Sequence, residues 1–167
     1  AGKTTLEAMI MFFLSRFNPL IFAIDYNNAM ENMLRALGAK YFSITPGRFT
    51  GVQLFQLEDS VELRQVLFDV VKVCASGLND RDEILAQDGI DSVMKHHNHA
   101  AKSMSLLYQY LPDEGQNCLK SRLGKWCRSV QGRSAGMNAW VLDSPTNTFD
   151  PADFRRLAFD CTAILDK

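Results

Sequence analysis

Gly2, Lys3, Thr4 and Thr5 carry the residue types that close a G-x-x-x-x-G-K-[ST] phosphate loop. In such a loop, successive backbone N–H groups wrap the phosphates, the lysine reaches the β- and γ-phosphates, and the first hydroxyl residue ligates Mg²⁺. G-K-T-T is short, and such strings also arise on ordinary helix N-termini. Its surroundings must therefore decide between a phosphate grip and coincidence. The expectation is the latter half of a truncated loop, with the first glycine and the preceding strand upstream.

Those surroundings favour the grip. Leu6 to Phe17 reads L-E-A-M-I-M-F-F-L-S-R-F, apolar on nearly every face, which predicts a helix enclosed by other elements. Asn18-Pro19 stops it. Leu20 to Ile24 is an unbroken apolar run ending at Asp25, the pattern of an interior strand of a parallel sheet. Asn27 or Asn28 then caps a second helix through Leu37, Gly38 closes it, and Tyr41 to Ile44 gives another strand. This order is α/β, an arrangement in which ligands bind outside the carboxyl ends of the strands, and it predicts Lys3 and Asp25 close together. The alternative is an α/β layer without a nucleotide site.

With 167 residues, 47% of them hydrophobic, the chain can bury a real core, and its length suggests one domain with an insertion. A formal charge of −1 with acids and bases mixed gives no global field toward nucleic acid or anionic membrane. Cys74, Cys118, Cys127 and Cys161 form neither a C-x-x-C pair nor a tight cluster, which favours reduced thiols in a cytoplasmic compartment. The longest apolar stretches fall short of a membrane span.

Past Pro46-Gly47 and Thr50-Gly51 the period becomes helical. Asp59-x-x-Glu62 predicts a capped start for a helix carrying Leu63, Val66, Leu67, Val70, Val71 and Cys74 as far as Gly77. Asp80-x-x-Glu83 predicts a second, running through Ile84, Ile90, Val93 and Met94 to Met104, Leu107 and Leu111, with breaks at Gly89 and near Asn98. A third carries Leu119, Leu123, Trp126 and Val130 to about Gly132. Ala139 to Leu142 reads as a strand, Asp150-Pro151 as a turn or helix start for Ala152 to Arg156, and Phe159 to Leu165 as another strand or its edge.

Several stretches in order resemble the motor domain of the conjugative-transfer and type IV secretion ATPases: F-N-P-L-I-F-A-I-D from Phe17, R-A-L-G-A-K-Y-F-S-I-T-P-G from Arg35, T-G-V-Q-L-F-Q-L-E-D from Thr50, R-L-G-K-W-C-R from Arg122, A-W-V-L-D-S from Ala139 and F-D-C-T-A-I-L from Phe159. The resemblance implies a partial RecA-like P-loop core of α/β class with an all-helical insertion. Residues 1–58 would open the core, 59–132 would be the inserted helical subdomain, and 133–167 would return to the core. It also implies that ATP and Mg²⁺ are used by the full-length protein. Gly2, Lys3, Thr4, Thr5 and Asp25 would be nucleotide-binding, with Thr4 on Mg²⁺ and Thr5 near the α-phosphate. The resemblance further implies hexameric assembly of the full-length protein, contact with other secretion-system subunits, DNA or protein as cargo, and a place in the cytoplasm beside the bacterial inner membrane.

The chain departs from the family pattern at Tyr26-Asn27-Asn28-Ala29, where a charged run is usual, and at Gln53-Leu54, where N-P is usual. An apolar run ending in Asp-Glu, which orients metal and water in such ATPases, does not occur up to Lys167. The expectation is a parent that hydrolyses ATP and a segment that does not. The alternative is an interaction module whose helical insertion mediates self-association, including dimerisation through an unpaired sheet edge, or docks on other subunits.

Other groupings carry less. His96, His97 and His99 lack a nearby cysteine or acid to complete a metal site. Lys120, Arg122, Lys125, Arg128 and Arg133, with Trp126 among them and no acid between Gln116 and Arg133, form the best local candidate for DNA or an acidic partner, against the alternative of a solvated face around a buried Trp126. No G-x-S-x-G elbow exists for a hydrolase, and Ser134-Ala135-Gly136 reads as a flexible turn.

Overall fold

The computed structural model describes residues 2–129, 134–150 and 153–165. Contacts divide the chain into two compact units, one of Ala1–Pro46 with Asp150–Lys167 and the other of Gly47–Phe149.

The first unit is built on a three-stranded parallel sheet. Helix α1 (Lys3–Ser15) leads to strand β1 (Ile21–Asp25), helix α2 (Glu31–Ala36) and strand β2 (Lys40–Ser43). Asn27 and Asn28 occupy left-handed backbone before α2, and Met30 rather than either asparagine is its N-cap residue. At the far end of α2, Gly38 at φ 79 lets Ala39 N–H reach Leu34 O and its own N–H reach Arg35 O, the paired bonds that end a helix at glycine.

The strand order corrects the expectation for β1. The order is β1-β3-β2, so β3 (Arg156–Asp160) is the central strand and β1 flanks it. Apolar runs fix which segments are strands, but not which one a segment from the far end of the chain will insert between. β3 pairs Ile21 with Arg156 through Asp25 with Asp160, and Lys40 with Leu157 through Ser43 with Asp160. It ends at Asp160, and Thr162–Leu165 turns into a short helix instead of extending the strand. Pro151 and Ala152 of the predicted turn lie outside the described residues, and Arg156 already belongs to β3.

One sheet face is covered. Ile21, Ala23, Tyr41 and Ala158 pack with Met30 and Leu34 of the α2 region and with Met11 of α1. The opposite face is a row of aromatics, with ring centroids 5.8 Å apart for Phe22 and Phe159, 5.7 Å for Phe159 and Phe42, and 5.8 Å for Phe42 and Phe154. Phe22 is 65% exposed.

The enclosed helix predicted for Leu6–Phe17 is also corrected. No residue of α1 is buried, and Leu6, Met9, Ile10, Phe12, Phe13 and Leu14 are all exposed. Its composition is that of a covered helix, but within the described residues only Met11 packs into a buried cluster.

The second unit is helical. Its main helices are α3 (Val61–Cys74), α4 (Asp80–Met94), α5 (Met104–Tyr110) and α6 (Leu119–Leu123), with one further turn, α7, at Ala139–Leu142. The caps sit one residue from the predicted places. Ser60, not Asp59, accepts the Leu63 N–H, and the reciprocal box before α4 is Asn79 with Asp82 rather than Asp80 with Glu83. A box one residue later would satisfy first-turn donors of the same kind, so sequence spacing alone does not separate the two registers. Gly89 does not break α4. It is buried, and a Cβ there would stand 2.6 Å from Leu107 Cδ1, so glycine lets α4 and α5 approach closely.

The third predicted helix is shorter than expected, with α6 followed by a 3-10 turn at Gly124–Trp126; Val130 and Gly132 lie outside the described residues. Ala139–Leu142 is a helical turn and not a strand, because Asp143 N–H bonds back to Ala139 O. Nor is Gly136 in a loose turn. Its N–H bonds Cys127 O at 2.8 Å, and a Cβ would lie 2.4 Å from backbone atoms of Gly124 and Lys125. Leu67, Val71, Val93, Leu107, Leu123 and Phe55 lie at the centre of this unit.

Candidate functional site

Gly2 lies at φ 108 and ψ −19, a left-handed conformation free of strain only without a Cβ, and the chain passes from it directly into α1. Leu6 N–H closes the first turn onto Gly2 O at 2.9 Å. No side chain caps this end, and the first turn carries no acid. The leading N–H groups of a helix have no intrahelical acceptor, and the dipole concentrates positive character there. Lys3, Thr4 and Thr5 stand exposed at this end. An uncapped, acid-free helix start with a lysine and two hydroxyls is chemically suited to an oxyanion.

Asp25 occupies the carboxyl end of β1, as its sequence position implied, and is 3% exposed. One carboxylate oxygen accepts the Tyr26 N–H at 2.9 Å; the other accepts the Met30 N–H at 3.0 Å and the Tyr41 hydroxyl at 2.7 Å. Lys3, expected close to Asp25, is not one of these partners. Among the described residues, no hydrogen bond or ion pair joins the two. Burial, followed by the hydrogen bond and charge of Asp25 and the charge of Asp160, pushes the Tyr41 phenol well above its ordinary pKa, so it remains a neutral donor.

Register sets Asp25, Asp160 and Ser43 side by side at the carboxyl ends of the three strands. Asp160 accepts from the Thr162 N–H at 3.0 Å and from the Thr162 hydroxyl, whose oxygen accepts the Asn27 N–H at 2.6 Å. The exits of β1 and β3 are thereby linked. Sequence reasoning named Asp25 but missed Asp160, Tyr41 and Thr162. The usable signal was that L-A-F-D repeats the form of I-F-A-I-D, an apolar run closed by Asp.

In the helical unit the basic stretch is largely committed to internal structure. Arg122 bonds the Ala75 and Gly77 carbonyls at 3.1 and 2.7 Å and pairs with Asp82. Lys120 donates to Leu111 O at 2.9 Å and stands over the Tyr108 ring, and the Trp126 indole N–H donates to Cys74 O at 2.9 Å. Lys125 lies over the Trp126 ring, while Arg133 is outside the described residues.

A second buried centre, not foreseen, surrounds the fully buried Asp143. It accepts from Gln53 Nε2 at 3.1 Å, Arg128 N–H at 2.7 Å, and both the N–H and hydroxyl of Ser105. The histidines give no ligand set. The His96 and His97 rings stack at 4.6 Å, and among the described residues no group of three or more His, Cys, Asp or Glu could hold a metal ion. Nor is any described helix long and apolar enough to cross a membrane.

No family model matches the chain. It is 27% identical over 150 residues to the type IV secretion system protein virB4 of Brucella abortus, covering 85% of this chain and 18% of that protein. With PtlC of Bordetella pertussis it shares 27% identity over 179 residues, covering 99% of this chain and 22% of that protein. The chain is a relative of the type IV secretion proteins VirB4 and PtlC. The structure of VirB4 from Thermoanaerobacter pseudethanolicus superposes with a TM-score of 0.69 at 16% identity, over 99% of this chain and 48% of that one. That likeness establishes a shared fold, mixed helix and strand with a small parallel sheet. This relative of VirB4 thus spans about a fifth of the length of the curated relatives it matches.

Proposed function

We propose that this chain is part of the ATP-driven motor of a type IV secretion or conjugation apparatus, with a RecA-like core that binds ATP and Mg²⁺ at the start of α1. The conformation of Gly2 carries this reading: at φ 108 it turns the chain into an uncapped helix whose first residues are Lys3, Thr4 and Thr5. The residues present fit the group. Lys3 would neutralise charge on the β- and γ-phosphates, Thr4 would ligate Mg²⁺, and the hydroxyl and N–H of Thr5 would face the α-phosphate. ATP supplies the phosphoryl-transfer free energy when bound. Asp25 serves by fixing the exit of β1 through Tyr26, Met30 and Tyr41.

In the parent, assembly would be hexameric, on the cytoplasmic side of the inner membrane and in contact with other secretion subunits, with DNA or protein as cargo. The relatives' names support the apparatus, and the geometry of α1 supports the nucleotide. The helical segment 59–132 is proposed as an insertion within the core.

A second reading, an interaction module, is favoured by one observation: the exposed apolar residues of α1, β1 and the turn between them, including Phe12, Phe17, Phe22 and Ile24. Thermal unfolding separates the two. Stabilisation by ATP with Mg²⁺ in the native chain, lost in Lys3→Ala, is the expected result. No stabilisation, together with self-association that grows with concentration, would transfer the assignment to the module.

A further inference from the structure

At the end of the sheet opposite the Asp25, Asp160 and Ser43 row, where β2 and β3 begin, lies a cleft of about 410 Å³ lined by Asn18, Lys40, Asp153, Phe154, Arg155 and Arg156. Asn18, at φ 48, organises both arginines. Its carbonyl accepts from Arg155 Nε at 2.8 Å, and its side-chain oxygen accepts from Arg156 Nη2 at 3.1 Å. Arg156 Nη1 donates to Leu37 O, beyond the last turn of α2.

These bonds hold the guanidinium groups without neutralising them. Among the described residues, none of Lys40, Arg155 and Arg156 is in an ion pair. Asp153 is the acid of the lining, set against three cations. Lys40 and Arg155 are exposed, with no hydrogen bond from Lys40 Nζ or the terminal nitrogens of Arg155 to another described residue, and Arg156 Nε is buried without an acceptor. Fixed cationic donors lacking acceptors are the components of an oxyanion site.

We propose that this cleft binds a phosphate group. Three cations on separate backbone positions approach a ligand from several directions, which suits a tetrahedral dianion, whereas a planar carboxylate is served by one bidentate arginine. The phosphate could be free or carried on a lipid headgroup, and the chemistry at the protein is the same. The site is independent of the nucleotide reading at α1, because it shares no residue with it.

The test titrates the full chain with inorganic phosphate at constant ionic strength, following backbone amide chemical shifts. In parallel, the chain is co-sedimented with phosphatidic acid vesicles and with phosphatidylcholine vesicles. Saturable shifts at Lys40, Arg155 and Arg156 are expected, with affinity about tenfold weaker in the double variant Lys40→Gln/Arg155→Gln and unchanged in Lys3→Ala. Binding only to phosphatidic acid vesicles, lost in the same double variant, would identify the headgroup as the source. Absence of both, equal binding by the double variant, or loss in Lys3→Ala would overturn the proposal. Should the double variant misfold by circular dichroism, Lys40→Gln alone keeps the arginine bonds to Asn18 and serves in its place.

Discussion

The hydroxyl of Tyr41 on β2 donates to Asp25 on β1 across the central strand of the sheet, at 2.7 Å and with both residues buried. The bond crosses β3 without involving it and anchors the loop that leads into α2, since the same carboxylate oxygen also accepts the Met30 N–H. The sheet and its first connection are therefore held by a carboxylate at the position where a ligand contact was expected.

Tyr41→Phe should cost about 1.5–3 kcal/mol in urea denaturation, the range for a hydrogen bond to a charged group. The pH dependence follows from the raised phenol. A group whose pKa is higher folded than unfolded contributes stability that is complete below the unfolded value, here 10.0, and is lost as pH rises beyond it. The native chain should therefore lose stability above about pH 10 more steeply than Tyr41→Phe does. Parallel alkaline limbs for the two proteins would sink this account.

The four thiols are free and sit in different surroundings. Burial raises Cys74 to about 11, and burial followed by the charge of Asp143 raises Cys127 further. Cys118 is the exception. Burial raises it, but N–H donors led by Ser121 outweigh that and leave it below its ordinary value. A thiol-specific reagent at neutral pH should modify Cys118 first, with Cys74 and Cys127 protected until the chain unfolds. Peptide mapping of the modified protein checks the order, and early labelling of Cys127 would contradict the buried position given to it.

The sequence places Arg122 in a basic stretch with Lys120, Lys125 and Arg128. In the structure its guanidinium joins the carbonyls that follow α3 to Asp82 in the first turn of α4. Arg122→Ala should cost about 3 kcal/mol, since it strands a buried carboxylate and two carbonyls. Arg122→Lys should recover only part of this, because one ammonium cannot span three acceptors. Chemical denaturation of the two variants tests the ordering, and an unaltered midpoint in Arg122→Ala would return the residue to the solvated face.

What the sequence showed and what it hid divide along physical lines. The strand run ending at Asp25, the stop at Asn18-Pro19 and the glycine exit at Gly38 are local, and local chemistry suffices to place them. The position of β3 between β1 and β2 is not local, since its partners lie more than a hundred residues away. Ala139–Leu142 carries β-compatible residues, but it closes into a helical turn through the Asp143 N–H to Ala139 O bond, next to a side chain held by residues 53, 105 and 128 that lie outside any local window. Lys3, Thr4 and Thr5 were legible as a group because a phosphate grip is contiguous. The Asp143 centre was not legible, being assembled from positions 53, 105, 128 and 143.

That centre also gives the sharpest stability test. Asp143 is completely buried, and its two oxygens receive four donors: Gln53 Nε2 and Ser105 N–H at Oδ1, the Ser105 hydroxyl and Arg128 N–H at Oδ2. Asp143→Ala leaves those donors without their acceptor at a fully buried position and should cost at least about 3 kcal/mol. Asp143→Asn keeps one acceptor oxygen and sets an amide against donors on the other side. On the Gln53 side this is partly relieved, because Gln53 Oε1 is buried without a partner and a flipped amide could accept there, at the expense of the 2.8 Å bond from Gln53 Nε2 to Ser144 O. The midpoints in urea should therefore fall in the order native, Asp143→Asn, Asp143→Ala. If Asp143→Ala unfolds at the native midpoint, the four donors must find water, and the centre does not hold these loops together.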